Sequence, residues 1–121
     1  MILGIGTDMI EIERIRKACE QEAFLMRIYT ETECRQAQGS ASMLAGNFAV
    51  KEAVAKAFGT GFRTFMPIDI ETLRDELGKP YVVLHGEAKT QAGKMGIGQI
   101  HTSISNTKEY AFGFAIAEGD S

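Results

Sequence analysis

The sequence predicts an α+β fold: a single domain, residues 1–121, in which an antiparallel sheet packs with a long central helix and shorter helices. Three observations point there. Apolar residues recur at helical spacing through the first half of the chain, and a period of two takes over from Ile68 onward. The 121 residues, 45% apolar and 24% charged, match one globular core that needs neither metal nor disulfide to fold. No internal repeat, low-complexity run or linker divides them.

Taken in order, Ile2 to Thr7 is rich in β-branched residues and carries Gly4 and Gly6, which suits a buried strand approached closely by something else. Asp8 closes that strand, and Asp8 with Glu11 has the spacing of a capping box ahead of a helix carrying Ile12, Ile15 and Cys19. Phe24, Leu25 and Ile28 mark a further helical turn. Thr30 and Glu33 repeat the capping-box spacing at the head of a short helix through Cys34. The central helix starts near Ser40 or Ser42, either of which can cap it, and runs to Phe58, with Gly59 as its left-handed stop.

Beyond it, Ile68, Ile70 and Thr72 alternate with Asp69 and Glu71, and DELGKP turns the chain into Tyr81–Leu84, a hairpin. GEAKTQAGKMG forms a short helix between Gly86 and Gly96, and the remainder reads as two strands joined at Asn106–Glu109. The last strand sorts by size. Tyr110, Phe112, Phe114 and Ile116 point one way and are expected to fill the core; Ala111, Gly113, Ala115 and Ala117 point the other, and that small-residue face invites another backbone or a neighbouring subunit.

A net charge of −3 and pI near 5.4 argue against a nucleic-acid binder, which needs a broad cationic face. Two cysteines are too few for a disulfide framework or a zinc site. The apolar start MILGIGTDMI is short and lacks a basic leader, so no signal peptide or membrane span is expected, and a cytoplasmic protein is.

The candidate chemistry sits in FAVKEAVAKAFGTG, Phe48 to Gly61. Met43, Leu44, Phe48, Val50, Val54 and Phe58 form one apolar arc, with Asn47 and Lys51 inside it; Glu52 and Lys56 fall among Ala45, Ala49 and Ala53 on the other side. Glu52 and Lys56 are either an ordinary surface pair one turn apart or part of a site. Lys51 either lays its stem over apolar neighbours or meets a ligand. Asp8 is either a helix cap or, with Glu52, half of the kind of carboxylate pair that holds Mg²⁺ together with waters and substrate phosphates. Gly59-Thr60-Gly61 is a helix stop or a place where bare amides meet a phosphate.

Three blocks together, GIGTDMIEIERI, FAVKEAVAKAFGTG and IHTSISNTKEYAFGFAIAE, resemble the holo-acyl-carrier-protein synthases, a family of phosphopantetheinyl transferases, over nearly the whole chain. The resemblance implies Mg²⁺-dependent transfer of 4′-phosphopantetheine from coenzyme A to a serine of an apo acyl carrier protein, releasing adenosine 3′,5′-bisphosphate, in fatty acid biosynthesis. It implies cytosolic homotrimers with sites between subunits. Asp8 and Glu52 match the family's metal ligands and, with Lys56 on the phosphates, the catalytic set. Lys51, Lys56, Gly59, Gly61, Pro80, His101 and Ser103 fall at or beside coenzyme A, with Ser105 on the same bordering strand. Arg14 and Lys17 on the first helix, with Arg27, match the face that docks the acidic carrier.

Two departures matter. Many relatives have an arginine where this chain has Asn47, leaving Lys51 as the cation expected to compensate, and many have a histidine where this chain has Asn106. An asparagine takes no proton at neutral pH, so proton acceptance passes to Glu52 or Asp8, acting through a water. The rival expectations are a non-catalytic module that binds coenzyme A, a nucleotide or an acidic partner, and a relative that binds coenzyme A without transferring anything.

Overall fold

Ile2–Glu11 forms a ten-residue strand, β1, that runs straight into α1 (Ile12–Ala18). Three short helices then pack in succession, α1 being followed by α2 (Glu22–Ile28) and α3 (Glu31–Ala37). The long helix α4 spans Ala41–Phe58, and a 3-10 turn at Pro67–Asp69 leads into the hairpin of β2 (Ile70–Arg74) and β3 (Pro80–Leu84). Helix α5 (Gly86–Met95), β4 (Ile97–Asn106) and β5 (Tyr110–Gly119) complete the chain. The structure, a computed structural model, describes residues 1–120.

There are two antiparallel sheets rather than one, a three-stranded sheet ordered β1-β5-β4 and the two-stranded β2-β3. Helix α4 lies across the larger sheet and is buried almost all round, on one side by the sheet and on the other by α1, α3 and β2. Its ends follow local chemistry. Ser40, rather than Ser42, caps it by accepting from the Met43 amide at 3.1 Å, and Gly59 ends it at φ 80°. Thr30 and Glu33 form the expected capping box on α3.

Three expectations are corrected here. Asp8 does not cap a helix: β1 continues through it, and Glu11, at the head of α1, makes no side-chain cap bond. Ile68 belongs to the 3-10 turn, so the alternation of β2 starts at Ile70, where Ile70 and Thr72 are both fully buried.

The third concerns β5, whose faces are the reverse of the expectation. Ala111, Ala115 and Ala117 are fully buried and face α4, while Tyr110 and Phe112 are about 40% exposed on the outer side. The close neighbour of the small-residue face is therefore this chain's own helix. A Cβ on Gly113 would lie 2.6 Å from the Ala49 carbonyl carbon, and one on Gly4 or Gly6 would collide with the Ala57 or Ala53 carbonyl oxygen. Helix and sheet meet here through bare backbone, which is why only glycine and alanine fit.

Candidate active site

That close contact positions the site. Along β1 the residues facing α4 are Gly4, Gly6 and then Asp8, so the strand that glycine presses onto the helix delivers a carboxylate two residues later. Glu52 and Lys56 lie one turn apart on α4 and meet it. Lys56 Nζ donates to the Thr7 carbonyl at 2.9 Å and to Asp8 Oδ1 at 3.3 Å. Its ion pair is with Asp8 across the strand–helix boundary, not with Glu52 on its own helix.

Burial raises the Glu52 carboxyl above the usual carboxylate range; the nearby Asp8 charge pushes the same way and Lys56 opposes both. Two carboxylates thus share one neighbourhood with a single flexible cation. The chain then leaves α4 through Gly59 and Gly61, at φ 80° and 61°, a stretch where backbone lies open beside Lys56.

Could these residues hold a divalent cation? Among the described residues no three His, Cys, Asp or Glu side chains cluster as a closed metal cage. Two mutually repelling carboxylates do fit Mg²⁺, which keeps several waters and takes few protein ligands. Asp8 and Glu52 would be those ligands.

The other expected residues fall elsewhere. Lys51 is corrected outright: it is fully buried, donating to Glu33 Oε2 at 2.9 Å, the Ile70 carbonyl at 2.7 Å and the Pro67 carbonyl at 3.3 Å, under the Tyr29 ring. Enclosed on every side, it offers no open face to a ligand. His101, Ser103 and Ser105 pair with Ile116, Phe114 and Phe112 and share their outer face, the side of the sheet away from α4 and Asp8. His101 is occupied by Glu118 at 2.9 Å. Pro80 lines a separate pocket with Ser42, Arg74 and Asn106. Within one chain, then, only Asp8, Glu52, Lys56 and the Gly59–Gly61 exit come together. Arg14, Lys17 and Arg27 are exposed on α1 and α2.

Two charged residues had no signal in the sequence reading. Glu33 passes there for a capping residue, yet its other task is to neutralise Lys51. Arg74 looks like an ordinary strand end, and only the fold puts its guanidinium against Asn47, with Nε and Nη2 at 3.3 and 3.0 Å from Asn47 Oδ1.

A family model described as the 4′-phosphopantetheinyl transferase superfamily matches residues 4–115. A curated relative from Lachnoclostridium phytofermentans, a holo-acyl-carrier-protein synthase, is 55% identical over 118 residues, covering 98% of this chain and 97% of its own. The chain belongs to the holo-acyl-carrier-protein synthase family of phosphopantetheinyl transferases. Solved structures agree. The acyl carrier protein synthase of Plasmodium yoelii with ADP bound has a TM-score of 0.90 at 34% identity, covering 100% of this chain and 98% of that one. The holo-acyl-carrier-protein synthase of Bacillus anthracis in complex with CoA (3′,5′-ADP) has a TM-score of 0.82 at 36% identity, covering 99% of each. In this phosphopantetheinyl transferase no helix among the described residues is long and apolar enough to cross a membrane.

Proposed function

We propose that this enzyme transfers 4′-phosphopantetheine from coenzyme A to a serine of an apo acyl carrier protein, with Mg²⁺, releasing adenosine 3′,5′-bisphosphate and supplying fatty acid biosynthesis in the cytoplasm. The observation that carries this reading is the meeting of Asp8, Glu52 and Lys56 where β1 crosses α4, beside the open Gly59–Gly61 backbone. Mg²⁺ held by Asp8 and Glu52 would supply neutralising charge for the pyrophosphate.

The chain's own residues do the remainder. Lys56, half-exposed and flexible, reaches phosphoryl oxygens and offsets the charge that builds on them. Gly59 and Gly61 let the backbone approach the same group. The serine oxygen attacks the phosphorus bearing pantetheine, the bond from that phosphorus to the bridging oxygen breaks, and the bridging oxygen departs with the adenosine bisphosphate. Glu52 or Asp8 takes the serine proton through a water. Asn106 cannot: its amide nitrogen donates to the Ser42 carbonyl at 3.0 Å and to Ser42 Oγ at 2.6 Å.

The enzyme acts as a homotrimer in this reading. Pro80, His101 and Ser103 lie away from Asp8 within one chain, so they reach coenzyme A only from a neighbouring copy.

Mass spectrometry of an apo carrier incubated with coenzyme A, Mg²⁺ and the enzyme tests the whole reading. The carrier gains one phosphopantetheine, and Asp8→Ala or Glu52→Ala slows the gain by about 100-fold or more. A carrier mass that never changes, or variants as fast as the parent, would reject it.

A further inference from the structure

Successive turns of α4 rest on glycine. A Cβ on Gly113 would lie 2.6 Å from the Ala49 carbonyl carbon and 2.7 Å from the Val50 amide nitrogen; one on Gly6 would strike the Ala53 carbonyl oxygen, and one on Gly4 the Ala57 carbonyl oxygen. Ala49, Ala53 and Ala57 follow one another at i, i+4 and i+8, so they form a single ridge along the helix. Each collision is with backbone, not with a side chain that could swing away. A Cβ added at any of these glycines has to push helix and sheet apart.

The ridge is in register with the site. Ala53 follows Glu52 in the chain and Ala57 follows Lys56, so Gly6 and Gly4 touch the backbone of the turns that carry the two charges. Gly113 is the β5 residue paired with Asp8. The inward neighbours of Asp8 are thus Gly6 along its own strand and Gly113 across the ladder. Of the small inward residues of β5, Ala111, Gly113, Ala115 and Ala117, the one without a Cβ is the one beside Asp8. Close packing in general would be served as well by a glycine at any of those alanines.

Spacing is what a shared cation needs. Magnesium-class ions hold oxygens at about 2.0–2.1 Å, so two carboxylates on one ion bring their oxygens within roughly 4 Å of each other. Asp8 has the shorter acidic side chain and little reach of its own. The gap between strand and helix is already spanned by one contact, Lys56 Nζ to Asp8 Oδ1 at 3.3 Å. A small lift of α4 would carry Glu52 away from Asp8 while leaving both elements formed.

We propose that Gly6 and Gly113 are positioning residues: by leaving out two Cβ atoms they set the depth at which α4 lies on the sheet, and so the span over which Asp8 and Glu52 share one divalent cation. This deepens the proposed function and rests on it.

Titration of the intact enzyme with Mn²⁺ in the presence of coenzyme A, the free ion followed by electron paramagnetic resonance, tests it, with an Asp8→Ala/Glu52→Ala double variant as the blank. Gly113→Ala weakens Mn²⁺ binding by about tenfold and Gly6→Ala by more, the size expected of groups that orient metal ligands. Asp8→Glu, one methylene longer, weakens it by about tenfold in the parent, where the added length overfills the gap. In the Gly113→Ala background the same methylene restores binding. The Gly113→Ala/Asp8→Glu protein holds Mn²⁺ more tightly than either single variant, while its urea midpoint stays as low as that of Gly113→Ala. A loosened core does not produce that reversal. Losses that simply add, or a folded glycine variant that binds Mn²⁺ as the parent does, overturn the positioning role and leave the transferase reading standing. If neither glycine variant folds, judged by far-ultraviolet circular dichroism, the glycines belong to the fold alone and the role is overturned as well. A parent that binds no more Mn²⁺ than the blank removes the shared cation, and the spacing device with it.

Discussion

Lys51 and Lys56 stand five residues apart on one helix and are used in opposite ways. Lys56 is half-exposed and mobile enough to serve phosphates, whereas Lys51 is sealed with Glu33 between α3, α4 and β2. Burial pushes the Glu33 carboxyl up and the Lys51 ammonium down, and each partner's charge opposes the other's shift. Removing one partner strands the other in a dry interior. Lys51→Met therefore destabilises the fold by about 3–5 kcal/mol in urea unfolding, and adding Glu33→Leu recovers part of the loss because no lone charge remains. A Lys51→Met protein of parental stability would show that the pair contributes nothing. Asp8, Glu52 and Lys56 were legible as residues, since Asp8 follows a glycine strand and the other two stand among alanines. Lys51's burial was not, because helical spacing places a residue on a face but does not say what covers that face.

At the scale of elements, capping chemistry is local and was mostly readable: Thr30 with Glu33, Gly59 and Gly96 end helices as their residue types require, Ser40 was one of two candidates for the head of α4, and only the Asp8–Glu11 pattern misled, because β1 runs on through Asp8. The orientation of β5 was not readable. Large residues usually mark the core side of a strand, yet here α4 presents Ala49, Ala53 and Ala57 and approaches so closely that only Ala and Gly fit beneath it. The winning term is the shape of the partner helix, which a strand's own pattern does not contain. Helix α1 allows a prediction of its own. Arg16 is engaged with Glu13 at 2.6 Å, while Arg14 and Lys17 are exposed and make no ion pair among the described residues. With Arg27 exposed on α2, they would offer an acidic carrier cationic groups on an acidic protein. Arg14→Glu is expected to raise the KM for the carrier by about tenfold and leave that for coenzyme A unchanged in initial-rate measurements. An unaltered carrier KM would reject docking through α1.

The whole molecule leaves one broad apolar surface uncovered. With the small face of the larger sheet consumed by α4, its outer face presents Leu3, Ile5 and Met9 of β1 beside Tyr110 and Phe112 of β5, and Ile5 and Met9 are each 62% exposed. Ile5 pairs with Ile116 and Met9 with Phe112, so the side chains form a continuous patch rather than scattered points. Patches of this kind on a small chain are covered by other chains. The oligomer expected from the Ala/Gly strand is thus still expected, but through the opposite face, the one that also carries His101 and Ser103. Assembly by this face would set His101 and Ser103 against a neighbouring copy. Ile5→Arg places a charge in the middle of the patch at a position that contacts no part of the core. Its expected result is a monomer by light scattering, with far-ultraviolet circular dichroism like the parent's and transfer activity reduced by at least about 100-fold, because each half-site is left without its complement. A trimeric Ile5→Arg protein would move the interface elsewhere, and a monomer that transfers at the parental rate would show that one chain carries the complete site.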